Sequence, residues 1–183
     1  MVEISFLRHG QSESNIQGIM AGGSIDWNLT QKGIDQAKEF AKNNNVNYDI
    51  YYCSPLIRTH QTLNAIKANQ TFIIDERLRE VNSGDWAGKP KKDLPQDLYT
   101  LYKDGKLDPP NGETLQEVDD RILSFLGDIF YKYQKNEKIL VVAHNALMRS
   151  LRRLFFETNN DQFEPKNLEM ITITVEQFNA LKK

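Results

Sequence analysis

This sequence is short of several things, and each shortage excludes a class of protein. It has one cysteine, Cys53, so no intrachain disulfide can form and no cysteine-rich metal site is possible. Neither sign of charge dominates: 23 Lys plus Arg stand against 25 Asp plus Glu, which leaves no global basic field for nucleic acid or an anionic membrane. No apolar run approaches the roughly 20 residues that cross a bilayer. The first strand reaches Arg8 too soon for a signal peptide. A soluble, cytoplasmic protein is expected, with no nucleic-acid and no membrane partner. Its 183 residues show no internal repeat and no linker, so one domain spanning 1–183 is the natural reading.

What is present is an alternation of strand and helix signals. Val2 to Leu7 is an apolar run that turns polar at Arg8, the pattern of a buried strand ending at its tip. Gln17 to Asn28 is glycine-containing and mixed in polarity, and reads as a loop. Thr30 is placed to cap a helix with Ile34, Ala37, Phe40 and Ala41 on one face. Asp49 to Cys53 follows as a second strand. Ser54 and Pro55 then read as the N-cap and first residue of a helix that buries Leu56, Leu63 and Ile66. Thr71 to Ile74 is a third strand.

Residues from about 75 to 111 hold four of the six prolines and the lysines Lys89, Lys91 and Lys92. They predict an insertion lying over the sheet, with a short helix near 94–102. Thr114 and Glu117 form a capping box that opens the clearest helix, carrying Leu115, Val118, Ile122, Phe125, Ile129 and Tyr133. Ile139 to Ala143 is a continuous apolar run and predicts a central parallel strand. A helix with Leu147, Leu151, Leu154 and Phe155 comes next, and Met170 to Val175 is the last strand. Such alternation predicts an α/β fold with a mostly parallel sheet covered on both faces.

Two of these strands end in histidine, His9 and His144. Strand ends of open α/β sheets are where ligands bind. Arg8 beside His9, then Gly10 and the hydroxyls of Ser12 and Ser14, suits a phosphate. A guanidinium grips two phosphate oxygens in a planar fork, and a neutral imidazole can attack phosphorus. Arg58 falls in the first turn of its helix, where free N–H groups and the macrodipole favour an anion. His144 is placed to donate to the same phosphate. Taken singly, these residues also fit a surface turn, a helix-surface ion pair and a satisfied strand-end histidine. Their coincidence argues for a site.

Leu7-Arg8-His9-Gly10-Gln11-Ser12, with Asn15, resembles the signature of the histidine phosphatase superfamily, whose best-known branch is the cofactor-dependent phosphoglycerate mutases. The resemblance continues through Ser54–Thr62, Leu78-Arg79-Glu80 with Gly84-Asp85-Trp86-Ala87-Gly88, Asn111–Thr114 and Val141–His144. It implies a three-layer α/β/α sandwich with a mostly parallel central sheet. It also implies catalysis through phosphohistidine, with no metal; no cofactor is expected for the hydrolase reading. By position, His9 becomes the phospho-acceptor, Arg8, Arg58 and His144 the phosphate pocket, and Glu80 the proton donor. Asn15, Ser12, Gln11 and Asn145 are implied in substrate binding, and Asp85 is a rival acid in the same loop. His60 has no carried-over role and reads as a helix-surface residue.

Two positions depart from the family pattern. Asn145 and Ala146 stand where glycines are usual, and a left-handed turn at Asn145 would keep that connection. Ala87 replaces a commonly acidic residue. The basic group Arg149, Arg152 and Arg153 reads as a solvated helix face. The short stretch between Gly88 and Asn111 favours a phosphomonoester hydrolase acting on a small phosphorylated metabolite. The alternatives are a cofactor-dependent phosphoglycerate mutase, a phosphohistidine-protein phosphatase and a non-catalytic phosphate-binding module. Neither the particular phosphomonoester nor the oligomeric state is encoded in these motifs.

Overall fold

The structure, a computed structural model, describes residues 1–44, 47–156 and 164–181. The apolar runs form strands β1 (Glu3–Arg8), β2 (Ile50–Cys53), β3 (Ile73–Ile74), β4 (Lys138–Ala143) and β5 (Met170–Thr174). They make one sheet in the order β3–β2–β4–β1–β5. The first four strands are mutually parallel where they pair, and β5 runs antiparallel to β1. β4 is therefore the central strand, as its unbroken hydrophobicity requires.

Side chains alternate across the sheet and divide the core in two. Ile4, Phe6, Tyr52, Ile139 and Val141 face one side. They pack against α5 (Leu115–Lys132), α6 (Asn145–Phe156) and Phe178 of α7 (Val175–Ala180). Leu7, Tyr51, Cys53, Leu140 and Val142 face the other, against Ala37 of α2 (Gln31–Asn43) and Leu63 and Ile66 of α3 (Ile57–Ile66). Three layers result. Phe125 of α5 stands edge-on to both Phe6 and Tyr52, with ring centroids 6.2 and 5.4 Å away. Burying side chains of this size stabilises the fold by about 1.5–3 kcal/mol each.

Several boundaries differ from expectation for identifiable reasons. α3 starts at Ile57, with Leu56 as its N-cap, and not at Ser54-Pro55. The Ser54 hydroxyl is engaged elsewhere, and the Ile57 N–H is taken by the Asp26 carboxylate at 3.0 Å. The first N–H of α3 is thus taken by the chain's own acid. Asn145 makes no left-handed turn and simply begins α6. The loop expected from Gln17 follows a five-residue helix, α1 (Glu13–Gln17).

The 75–111 stretch contains three 3-10 turns and α4 (Gln96–Lys103). It is tied to the 18–20 loop by Met20 N–H to Lys89 O at 2.9 Å, Gly88 N–H to Met20 O at 2.8 Å and Lys91 N–H to Gly18 O at 2.8 Å. Met20, Trp86 and Leu94 form a small core beneath this junction.

Candidate active site

Register decides which residues meet. β1 and β4 pair so that Arg8 lies opposite Ala143. The residues that follow, His9 and His144, therefore leave the sheet side by side, with ring centroids 5.2 Å apart. Both are buried. The first turn of α3 adds Arg58, fully buried, from the neighbouring strand connection. Thr62, one turn further along α3, accepts from the Gly10 N–H at 3.0 Å and donates to the Arg58 carbonyl at 2.7 Å. It ties the His9 loop to the helix that carries Arg58. Gly10 is required here by proximity: a Cβ on it would lie 2.6 Å from the Gly33 carbonyl oxygen of α2.

The His9 Nδ1 lies 2.7 Å from the Gly10 carbonyl oxygen. An oxygen that can only accept fixes the proton on Nδ1, so Nε2 of the neutral ring keeps its lone pair. Burial, then the charges of Arg58 and Arg8, hold the His9 pKa well below the ordinary histidine value. The ring is a neutral base flanked by two cations.

His144 is arranged differently from expectation. Its Nδ1 accepts from Arg58 Nε at 3.3 Å, and its Nε2 lies 2.7 Å from Ser54 Oγ. Because a guanidinium Nε can only donate, the ring proton sits on Nε2 and is given to Ser54. Both nitrogens are spent within the protein, and His144 is not among the residues lining the cleft. It orients Arg58 and offers a phosphate no free N–H in this geometry. Burial first, and then Arg58, keep its pKa well below the ordinary value.

The cleft above these rings is lined by Arg8, His9, Ser14, Asn15, Arg58, Glu80 and Asn145, among others. Four buried polar atoms of its lining have no hydrogen-bond partner: Arg8 Nε, Arg58 Nη1, Ser83 Oγ and Asn145 Oδ1. A buried polar atom without a partner costs about 1–3 kcal/mol. An oxyanion accepting from both guanidiniums recovers part of that cost. Glu80 Oε1 accepts from the N–H groups of Val81 at 3.0 Å and Ala146 at 3.2 Å, the latter in the first turn of α6. Its other oxygen has no partner among the described residues. Asp85, the rival acid, lies outside the cleft and binds Asn111 at 3.0 Å.

Ser12 and Gln11 do not line the cleft either. Ser12 is wholly buried, its hydroxyl 2.9 Å from that of Ser14, and Gln11 Oε1 accepts from Thr30 at 3.1 Å. They brace the loop. Asn15 does line the cleft, its Oδ1 accepting from the Ser12 N–H at 3.1 Å. His60 sits against Phe72, outside the cleft, and donates to the Ser54 carbonyl at 2.8 Å. The basic group of α6 is not a single solvated face: Arg149 lines the cleft, whereas Arg153 pairs with Asp119 at 2.6 Å.

Sequence reasoning missed one contributor entirely. The segment before β5 closes the floor, where Pro165 O accepts from Arg8 and Asn167 donates to the His9 carbonyl at 2.9 Å. Glu164 accepts from Asn145 at 3.3 Å. No local motif marks these residues, because their partners lie about 150 positions away in the chain or in another element. Among the described residues, no group of three or more His, Cys, Asp or Glu is placed to hold a metal ion.

Known proteins share this architecture. A 2,3-bisphosphoglycerate-dependent phosphoglycerate mutase of Rhizobium meliloti (strain 1021) is 30% identical over 188 residues, covering 95% of this chain and 89% of that relative. A mutant phosphoserine phosphatase from Entamoeba histolytica, solved with phosphoserine, superposes with a TM-score of 0.80 at 27% identity. That match covers 94% of this chain and 90% of the other. The Bacillus stearothermophilus protein YhfR gives a TM-score of 0.82 at 26% identity, covering 96% and 92%. Residues 4–181 match the histidine phosphatase superfamily (branch 1). The chain belongs to the histidine phosphatase superfamily, whose members named here include a phosphatase and a mutase.

Proposed function

We propose that the chain hydrolyses small phosphomonoesters through a phosphohistidine on His9. The observation that carries this reading is the state of that ring: buried, neutral, proton held on Nδ1 by Gly10, with Arg8 and Arg58 beside it. In the first step Nε2 forms a bond to phosphorus as the ester oxygen departs. Arg8 and Arg58 stabilise the equatorial oxygens, and His144, backed by Ser54, keeps Arg58 in position. Glu80 gives its proton to the leaving alkoxide. In the second step the Glu80 carboxylate takes a proton from water as that water attacks phosphorus, and the N–P bond breaks. Metal is not needed in this scheme, since the two guanidiniums provide the positive charge. On the same reading the chain acts as one domain, with the 75–111 stretch covering the cleft.

A mutase is the second reading, supported by the name of the Rhizobium relative. Chain length does not separate the two, because that relative is matched over 89% of its length. Products do. Phosphorus resonance spectra of the chain with p-nitrophenyl phosphate and with 3-phosphoglycerate should show inorganic phosphate accumulating. Conversion of 3-phosphoglycerate to 2-phosphoglycerate as the main product, without phosphate release, would replace the hydrolase by a mutase.

A further inference from the structure

The backbone around the nucleophile is fixed by partners outside its own loop. The His9 N–H donates to the Ala143 carbonyl of β4 at 3.0 Å. The next peptide, between His9 and Gly10, is pinned at both ends. Its N–H donates to Thr62 Oγ1 of α3 at 3.0 Å, and its carbonyl accepts from the Asn167 side-chain amide at 2.9 Å. That peptide matters because the His9 ring gives its Nδ1 proton to the Gly10 carbonyl, one residue on. Glycine has the least restricted backbone of any residue. Without a fixed peptide ahead of it, the Gly10 carbonyl is free to turn away and release the ring.

Asn167 is itself presented by a built turn. The Glu169 N–H donates to the Lys166 carbonyl at 3.1 Å, and the Glu169 carboxylate accepts from the Lys166 N–H at 2.7 Å. Leu168 stands in the left-handed region, with a φ of 60°, which a side chain of its size rarely adopts. Its N–H donates to the Arg8 carbonyl at 3.0 Å, and the Arg8 N–H donates to the Glu169 carbonyl at 3.0 Å. A strained leucine is kept where it locks the turn onto the residue before the nucleophile. Asn167 does not line the cleft, but its amide also lies 3.5 Å from Oδ1 of Asn15, which does. It can act on the reaction only through other residues.

We propose that Asn167 is a positioning residue for phosphoryl transfer to His9. With Thr62 it clamps the His9–Gly10 peptide, so that the ring proton stays on Nδ1 and Nε2 stays aimed at phosphorus. This rests on the phosphohistidine reading of the cleft. The anion-binding groups are held by other contacts, Arg8 by the Pro165 carbonyl and Arg58 by His144. Loss of the Asn167 amide is therefore felt at the nucleophile and not at the bound phosphate.

Asn167→Ala removes the amide and leaves every backbone bond of the turn. Single-turnover release of nitrophenol from p-nitrophenyl phosphate should slow by about 10- to 100-fold, the range that a misplaced reacting atom costs. Affinity for inorganic phosphate, read by calorimetry, should stay within about threefold of the unaltered chain, which also shows that the variant folds. Nitrogen-15 resonances of the His9 ring should report one tautomer, protonated at Nδ1, in the unaltered chain and a mixture in the variant. Asn167→Asp keeps the shape but offers the His9 carbonyl only acceptors, and should do no better than alanine. Single-turnover release within about twofold of the unaltered rate overturns the assignment. So does a phosphate affinity that falls as far as the rate, or a ring tautomer that does not change. If the unaltered chain forms no phosphohistidine, the hydrolase reading fails instead. The ring spectra need no turnover and still decide the clamp.

Discussion

An imidazole attacks phosphorus only while it is neutral, and burial together with two guanidinium charges favours that form of His9. The leaving oxygen has the opposite need, a proton, and Glu80 is the carboxyl lining the cleft beside Ala146 of α6. The division of labour has a kinetic signature. Glu80→Gln keeps the shape and both N–H contacts but removes the acid. Alkyl phosphates, whose alkoxides leave poorly, should lose about 10²–10⁴-fold in the first step. p-Nitrophenyl phosphate should still phosphorylate His9 at near its normal rate. The intermediate should then hydrolyse slowly, because the same carboxylate activates the water. Rapid-quench measurements should show a burst of nitrophenol and a slow steady state. Equal loss of the burst for aryl and alkyl esters would mean that Glu80 only braces the Val81 and Ala146 backbone.

The elements that bear on this site were largely readable in the sequence, because their signals are local. β4 announces itself as five apolar residues in a row, and the capping box at Thr114 and Glu117 forms as written. That β1 and β4 are neighbours is what turns two strand-end histidines into one site; alternation of strands and helices predicts a parallel sheet but not its strand order. Elsewhere a local rule met a distant competitor. Ser54 has the composition of an N-cap and its hydroxyl does accept the Leu56 N–H at 3.3 Å, yet it also binds His144, 90 residues on, and the helix begins only at Ile57. Ser12 and Gln11 carry polar side chains in the motif, but α1 and Thr30 consume them. Arg149 looked like part of a basic stripe because helical spacing cannot say which neighbour fills each direction. The contacts of Glu164, Pro165 and Asn167 have no sequence pattern at all. Pairwise contacts across the fold decide them.

For the molecule as a whole, burying two neutral histidines makes stability depend on pH. In an unfolded chain histidine protonates near about 6.5. In the fold, both His9 and His144 remain neutral well below that value, chiefly through burial. Below about pH 6.5 the unfolded state therefore binds more protons than the folded one, and stability falls as pH falls. The contribution is fully present above the unfolded value. A calorimetric series from about pH 8 to 5 should show Tm declining through this interval, and declining less for His9→Ala. A Tm that does not change over the range, or an identical decline in both, would mean the rings are not held neutral by the fold.

The account stands most directly on where the phosphoryl group goes. Phosphohistidine survives alkali, so the chain can be mixed with p-nitrophenyl phosphate, quenched in base within milliseconds, digested and mapped by mass spectrometry. The phosphoryl group should be found on His9 and should disappear as substrate is exhausted. A phosphoryl group on His144 or any other residue, or none during steady turnover, would contradict the mechanism built on His9.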